Sequence, residues 1–139
     1  MYKWFISILV ACLIMPVTVT YGASKELVGK CGHWLDDAID VGWSRTNLSK
    51  LDYVIWRESR CQPLVFNRFD PNGGSVGLMQ INQFWCLPSR YYKTGWLQSL
   101  EILDSCLELF DPETNLRAGL AIFEYSKKRN NNGWQPWGK

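Results

Sequence analysis

Four cysteines, Cys31, Cys61, Cys86 and Cys106, are spread along the part of this chain that can fold, and they restrict it more than any other feature. A fifth, Cys12, lies in a segment of different character. There Lys3 is followed by an apolar run from Trp4 to Val19, with Pro16 near its end and the small residues Thr20, Gly22 and Ala23 behind it. A positive charge, an apolar run and small residues in that order predict a signal peptide over residues 1–22, cut after Gly22, so that the mature chain starts at Ala23. A membrane span would need about 20 apolar residues without such a break.

Leu9, Val10, Ala11 and Cys12 also match the pattern at which bacterial lipoproteins are cut and lipidated. That route ranks second, because it would leave Leu13, Ile14, Met15 and Val17 as an apolar head on the mature protein. Either route exports the chain, to the periplasm or to the medium outside the cell. Removing Cys12 with the leader leaves an even number of cysteines in an oxidising compartment, which predicts two disulfides. Four cysteines allow three pairings, and the sequence does not choose among them. A zinc site is not indicated, since no two cysteines have close ligand spacing and His33 is the only histidine.

A chain of 139 residues without repeats or a long linker suits one domain, here residues 23–139, acting as a monomer. Its net charge of +2 comes from basic residues scattered among acidic ones, so nucleic acid is not the indicated partner. Seven tryptophans lie after the leader, from Trp34 to Trp137. Some must be core, while others suit a groove, where a flat apolar face with one polar N–H fits a sugar ring. Trp134 and Trp137 are expected to pack the tail back onto the domain.

The apolar spacing predicts an α+β, mainly α-helical domain with one small hairpin or loop insertion. Trp34, Ala38 and Val41 fall on one face of a helix over Cys31–Val41 that Gly42 ends. Ser49 caps a second helix beginning at Lys50, whose face carries Leu51, Val54 and Ile55. Leu97–Phe110 reads as a third, with Leu100, Leu103 and Leu107 in line. Asp111 as cap and Pro112 at the first position start a fourth, which ends near Lys128. Between the second and third, the turn residues Asp70, Pro71, Asn72, Gly73 and Gly74 interrupt Phe66–Asn82. Their spacing does not make a calcium loop, because Ile81 stands where the closing glutamate would be.

Glu58 follows Leu51 by seven residues and so shares the apolar face of the second helix. A carboxyl at the edge of a core is disfavoured in its charged form, and a carboxylic acid that keeps its proton near neutrality can give it to a glycosidic oxygen. The competing expectation is a helix-end salt bridge with Arg57, Arg60 or Arg68.

The neighbours weigh on that choice. Glu58-Ser59 is followed across the insertion by Ser75, Gly77, Leu78, Met79, Gln80, Ile81 and Asn82, and then by Asp111, Pro112, Asn115, Leu116 and Gly119. This arrangement resembles the lytic transglycosylase family of the SLT type, with a lysozyme-like fold, over most of Cys31–Trp137. The resemblance implies glycan strands of peptidoglycan as substrate, no cofactor and no metal. It makes Glu58 the catalytic acid and then base, has Gly77 let the backbone approach the sugar, and puts Met79, Gln80 and Asn82 on the substrate. Ser59 and Asn115 support the fold.

Many members of the family carry an Ala-Tyr-Asn segment that brings a tyrosine close to the acid, and this chain has none. Its tail instead reads Gly133-Trp134-Gln135-Pro136-Trp137, and Tyr125, on the preceding helix, is a poor substitute. With a single histidine outside any motif, a Ser-His-Asp or Cys-His site is not indicated. A hydrolytic lysozyme needs a second carboxylate. Asp70 is the nearest downstream acid, in a turn that capping explains, so transglycosylation with formation of 1,6-anhydro ends is preferred. A lysozyme on the same fold and a non-catalytic peptidoglycan-binding module are the alternatives. The sequence leaves open whether the setting is wall remodelling, an envelope-spanning secretion machine or a phage.

Overall fold

In the computed structural model, which describes residues 29–138, a 3-10 turn at Gly32–Trp34 leads into helix α1, Leu35–Asp40. The expected leader, its cleavage point and Cys12 lie outside the described residues. A second 3-10 turn, Arg45–Asn47, runs directly into helix α2, Leu48–Ser59. The helix therefore starts two residues before Lys50, behind a 3-10 turn that Ser44 caps with its Oγ accepting from the Thr46 N–H; Asn47, the residue before the helix, makes no side-chain cap, and Ser49 lies inside the helix. The expected face holds: Leu51, Val54 and Ile55 are buried.

The insertion is a three-stranded antiparallel sheet of two-residue strands, β1 Phe66–Asn67, β2 Ser75–Val76 and β3 Ile81–Asn82, with β2 in the middle. Phe66 pairs with Val76, and Val76 with Ile81, so the two hairpins share one central strand.

The third helix departs from expectation. Helix α3 covers only Trp96–Ser99, and a separate 3-10 turn follows at Cys106–Phe110. Glu101 takes a left-handed φ of 57°, which ends the helix. The chain restarts at a capping box in which Ser105 Oγ accepts from the Leu107 N–H and the Glu108 carboxylate accepts from the Ser105 N–H. Leu103 is buried, whereas Leu100 and Leu107 are exposed, so the three do not share a face. Helix α4, Pro112–Asn130, begins as expected, with Asp111 Oδ1 accepting from the Thr114 N–H at 2.8 Å. It ends two residues late, at a left-handed Asn131.

The core lies between α2, the sheet and α4. Asn115 on α4 is fully buried and joins three segments: its Oδ1 accepts from the Met79 N–H, and its Nδ2 donates to the carbonyls of Val76 and Leu109. Gly119, one turn on, leaves room for Met79, whose Sδ would lie 2.2 Å from any Cβ placed there. The tail packs back as expected. Trp134 stacks on Trp43 with ring centroids 5.5 Å apart, and Trp137 is 7% exposed.

Cys31 is bridged to Cys61 and Cys86 to Cys106, which selects one of the three pairings. Asp52 braces the first bridge by accepting from the N–H groups of Lys30 and Cys31 at 2.9 and 2.7 Å. Replacing both Cys31 and Cys61 by serine should lower unfolding stability by about 2–4 kcal/mol, the usual contribution of a native bridge. Denaturant titration measures it. An unchanged midpoint would mean that the Asp52 bonds hold this segment without the bridge.

Candidate active site

The last turn of α2 sets the position of Glu58. Ser59 is buried and its Oγ donates to the Ile55 carbonyl at 3.0 Å, supporting the helix end as the resemblance implies. Arg60 and Cys61 then take left-handed conformations, with φ of 53° and 65°, and Cys61 is fastened to Cys31. The chain thus turns sharply just after Glu58 and is pinned there.

Glu58 is half-buried, with 24% of its side chain exposed. Its partner is Arg57, whose Nε and Nη2 both donate to Oε1, at 3.0 and 2.5 Å. The helix-end ion pair, the competing expectation for this carboxyl, is therefore present. Of the three arginines considered, Arg57 makes the ion pair. Its Nη2 donates in addition to the backbone carbonyl of Trp137. The Trp137 indole N–H in turn donates to the Met79 carbonyl at 2.7 Å. One tail residue thus links the helix end that carries Glu58 to the Gly-Leu-Met-Gln segment.

Within that segment the expected site residues are placed differently from one another. Gly77 is buried at a φ of 77°, and a Cβ there would stand 2.3 Å from Asn115 Nδ2 and 2.4 Å from the Leu109 carbonyl. The close approach it permits is to α4 and the turn before it, not to an open groove. Met79 is fully buried against α4, so its side chain is core, and only its carbonyl takes part in the link to the tail. Gln80 is half-buried; its Nε2 donates to the carbonyls of Val65 and Gly77. Asn82 uses its amide locally, donating to the Pro71 carbonyl and accepting from the Phe84 N–H. Gln80 and Asn82 together line a small hollow of about 60 Å³ with Trp85, Pro136 and Trp137.

Trp85 also lines an adjoining cavity of about 370 Å³, walled by Phe84, Tyr91, Tyr92, Trp96 and Tyr125. Tyr125 packs edge-on against Trp85 and Trp96, so it belongs to this aromatic cavity. Sequence reasoning missed both the cavity and the role of the Trp137 carbonyl. The first had a signal, since five of the six aromatic residues fall within Phe84–Trp96; a backbone carbonyl leaves none.

Asp70 accepts from Asn67 Nδ2 at 2.9 Å, consistent with a turn residue, and His33 is exposed. Among the described residues no group of His, Cys, Asp and Glu is placed to hold a metal ion, and no helix is long and apolar enough to cross a membrane.

Compared with protein families, residues 44–138 match the model described as the transglycosylase SLT domain. The match takes in Glu58, the sheet, α4 and the tail up to Gly138. Compared with curated proteins, the chain matches none.

Proposed function

Because the chain belongs to the transglycosylase SLT domain family, whose action is on peptidoglycan, we propose that it is a lytic transglycosylase with Glu58 as its acid and base. The bond cut is the β-1,4 link from N-acetylmuramic acid to N-acetylglucosamine. Glu58 gives its proton to the glycosidic oxygen as the C1–O bond breaks, and the muramyl N-acetyl oxygen bonds to C1. The Glu58 carboxylate then takes the proton of the muramyl 6-hydroxyl, whose oxygen displaces the acetyl oxygen from C1. The product carries a 1,6-anhydro end, and no water is consumed.

The observation that carries this reading is the bridge through Trp137, which ties the helix end bearing Glu58 to the segment bearing Gln80. The aromatic cavity next to Gln80 and Asn82 supports a saccharide as the occupant, because flat faces edged by tyrosine hydroxyls suit pyranose rings. Gln80 and Asn82 are the proposed substrate contacts. The two disulfides fit an oxidising compartment, and we place the protein in the periplasm or outside the cell, after loss of residues 1–22.

Mass spectrometry of the muropeptides released from purified peptidoglycan tests the reaction. The expected products end in 1,6-anhydro-muramic acid. Reducing ends as the main product would make the enzyme a hydrolase of the lysozyme kind, and no release at all would leave a binding module.

A further inference from the structure

Among the ion pairs of the described residues, that of Arg57 with Glu58 is unlike a surface pair. The other, between Arg117 and Glu113, joins two long side chains on the open face of α4 and belongs to a class that contributes about 0–1 kcal/mol. The Arg57 guanidinium is held from three sides. Nε and Nη2 meet Glu58 Oε1, Nη2 meets the Trp137 carbonyl, and Cζ lies 5.8 Å from the centre of the Tyr53 ring. The carbonyl is itself fixed, since Trp137 is buried and its indole is bonded to Met79. A planar guanidinium can reach two acceptors at once with its fork of N–H groups, which a lysine ammonium on a flexible stem does not reproduce.

We propose that Arg57 is the positioning residue of the reaction, fixing which oxygen of Glu58 carries the proton. This rests on the reading of Glu58 as the acid. With two donors on Oε1, a proton there would face two N–H groups, whereas among the described residues Oε2 takes no hydrogen bond. The transferable proton therefore sits on Oε2. As it leaves for the glycosidic oxygen, the charge left on the carboxylate is met by a guanidinium already in place, so little has to reorganise. When the 6-hydroxyl gives up its proton, Oε2 is again the oxygen that receives it.

The test measures kcat and KM on soluble glycan strands for the wild type, Glu58→Gln, Arg57→Lys and Arg57→Ala, with melting temperatures alongside. Misplacing a catalytic group typically costs up to about 10²-fold, so both Arg57 variants should lose about 10- to 100-fold in kcat. KM should stay within about twofold, because the residue acts on the transition state and not on binding. Millimolar guanidinium ion should restore part of the Arg57→Ala rate, and urea at the same concentration should not. Arg57→Lys keeps the charge and is the variant to rely on if Arg57→Ala unfolds. Wild-type kcat in Arg57→Lys, or a loss that appears in KM alone, overturns the proposal while an inactive Glu58→Gln leaves the reading of Glu58 standing. An active Glu58→Gln overturns both.

Discussion

Glu58→Gln should fold normally, with a melting temperature lowered by no more than about 4–8 °C, the shift for about 1 kcal/mol in a domain of this size, and lose at least about 10²- to 10⁴-fold of its activity on peptidoglycan, the range for removal of a general acid. Glutamine has nearly the same shape, and its carbonyl oxygen can accept from Arg57 as Oε1 does. What it lacks is a proton to donate and a carboxylate to take one back. Since one group serves both halves of the proposed reaction, the loss should lie toward the upper end of that range, and binding of glycan strands should survive. Thermal unfolding and the rate of muropeptide release are the two measurements. A large drop in stability with activity retained would mean that the residue serves the fold through its ion pair. Wild-type turnover would remove Glu58 from the chemistry.

Trp137→Ala should destabilise the domain by about 3–5 kcal/mol, the scale for emptying the site of a buried tryptophan. The indole is 7% exposed, packs against Trp134 at 6.1 Å between centroids and satisfies the Met79 carbonyl. Removing it leaves a cavity and withdraws the partner of a carbonyl at the centre of the Gly-Leu-Met-Gln segment. Denaturant unfolding measures the change. A loss below about 0.5 kcal/mol, the scale of an ordinary surface substitution, would show that the tail does not pack as described.

The helices and their caps were legible where a local signal fixes them. Asp111 and Pro112 place the start of α4 because both act on the backbone beside them, and the face of α2 follows from Leu51, Val54 and Ile55 alone. The stretch 97–110 misled because Leu100, Leu103 and Leu107 have helical spacing, while the capping box of Ser105 and Glu108, also local, argued for a break. Tertiary contacts were less readable. Nothing in the residue type of Met79 says that Gly119 makes room for it, and nothing in Gly77 says that its tight neighbour is Asn115 and not a ligand. The pairing of the cysteines was out of reach for the same reason, since it depends on which ends meet in space. Glu58 was singled out through the motif, but its partner had to be chosen among three arginines, and that choice depends on the rotamers and the turn after Ser59.

Two segments far apart in the sequence converge on the last turn of α2. In one, Lys30 lies over the Trp56 ring, 3.3 Å from its centre, and Cys31 is bonded to Cys61; in the other, Trp137 meets Arg57. The two segments clasp the final turn of α2 between them, so loosening either of them should displace Glu58.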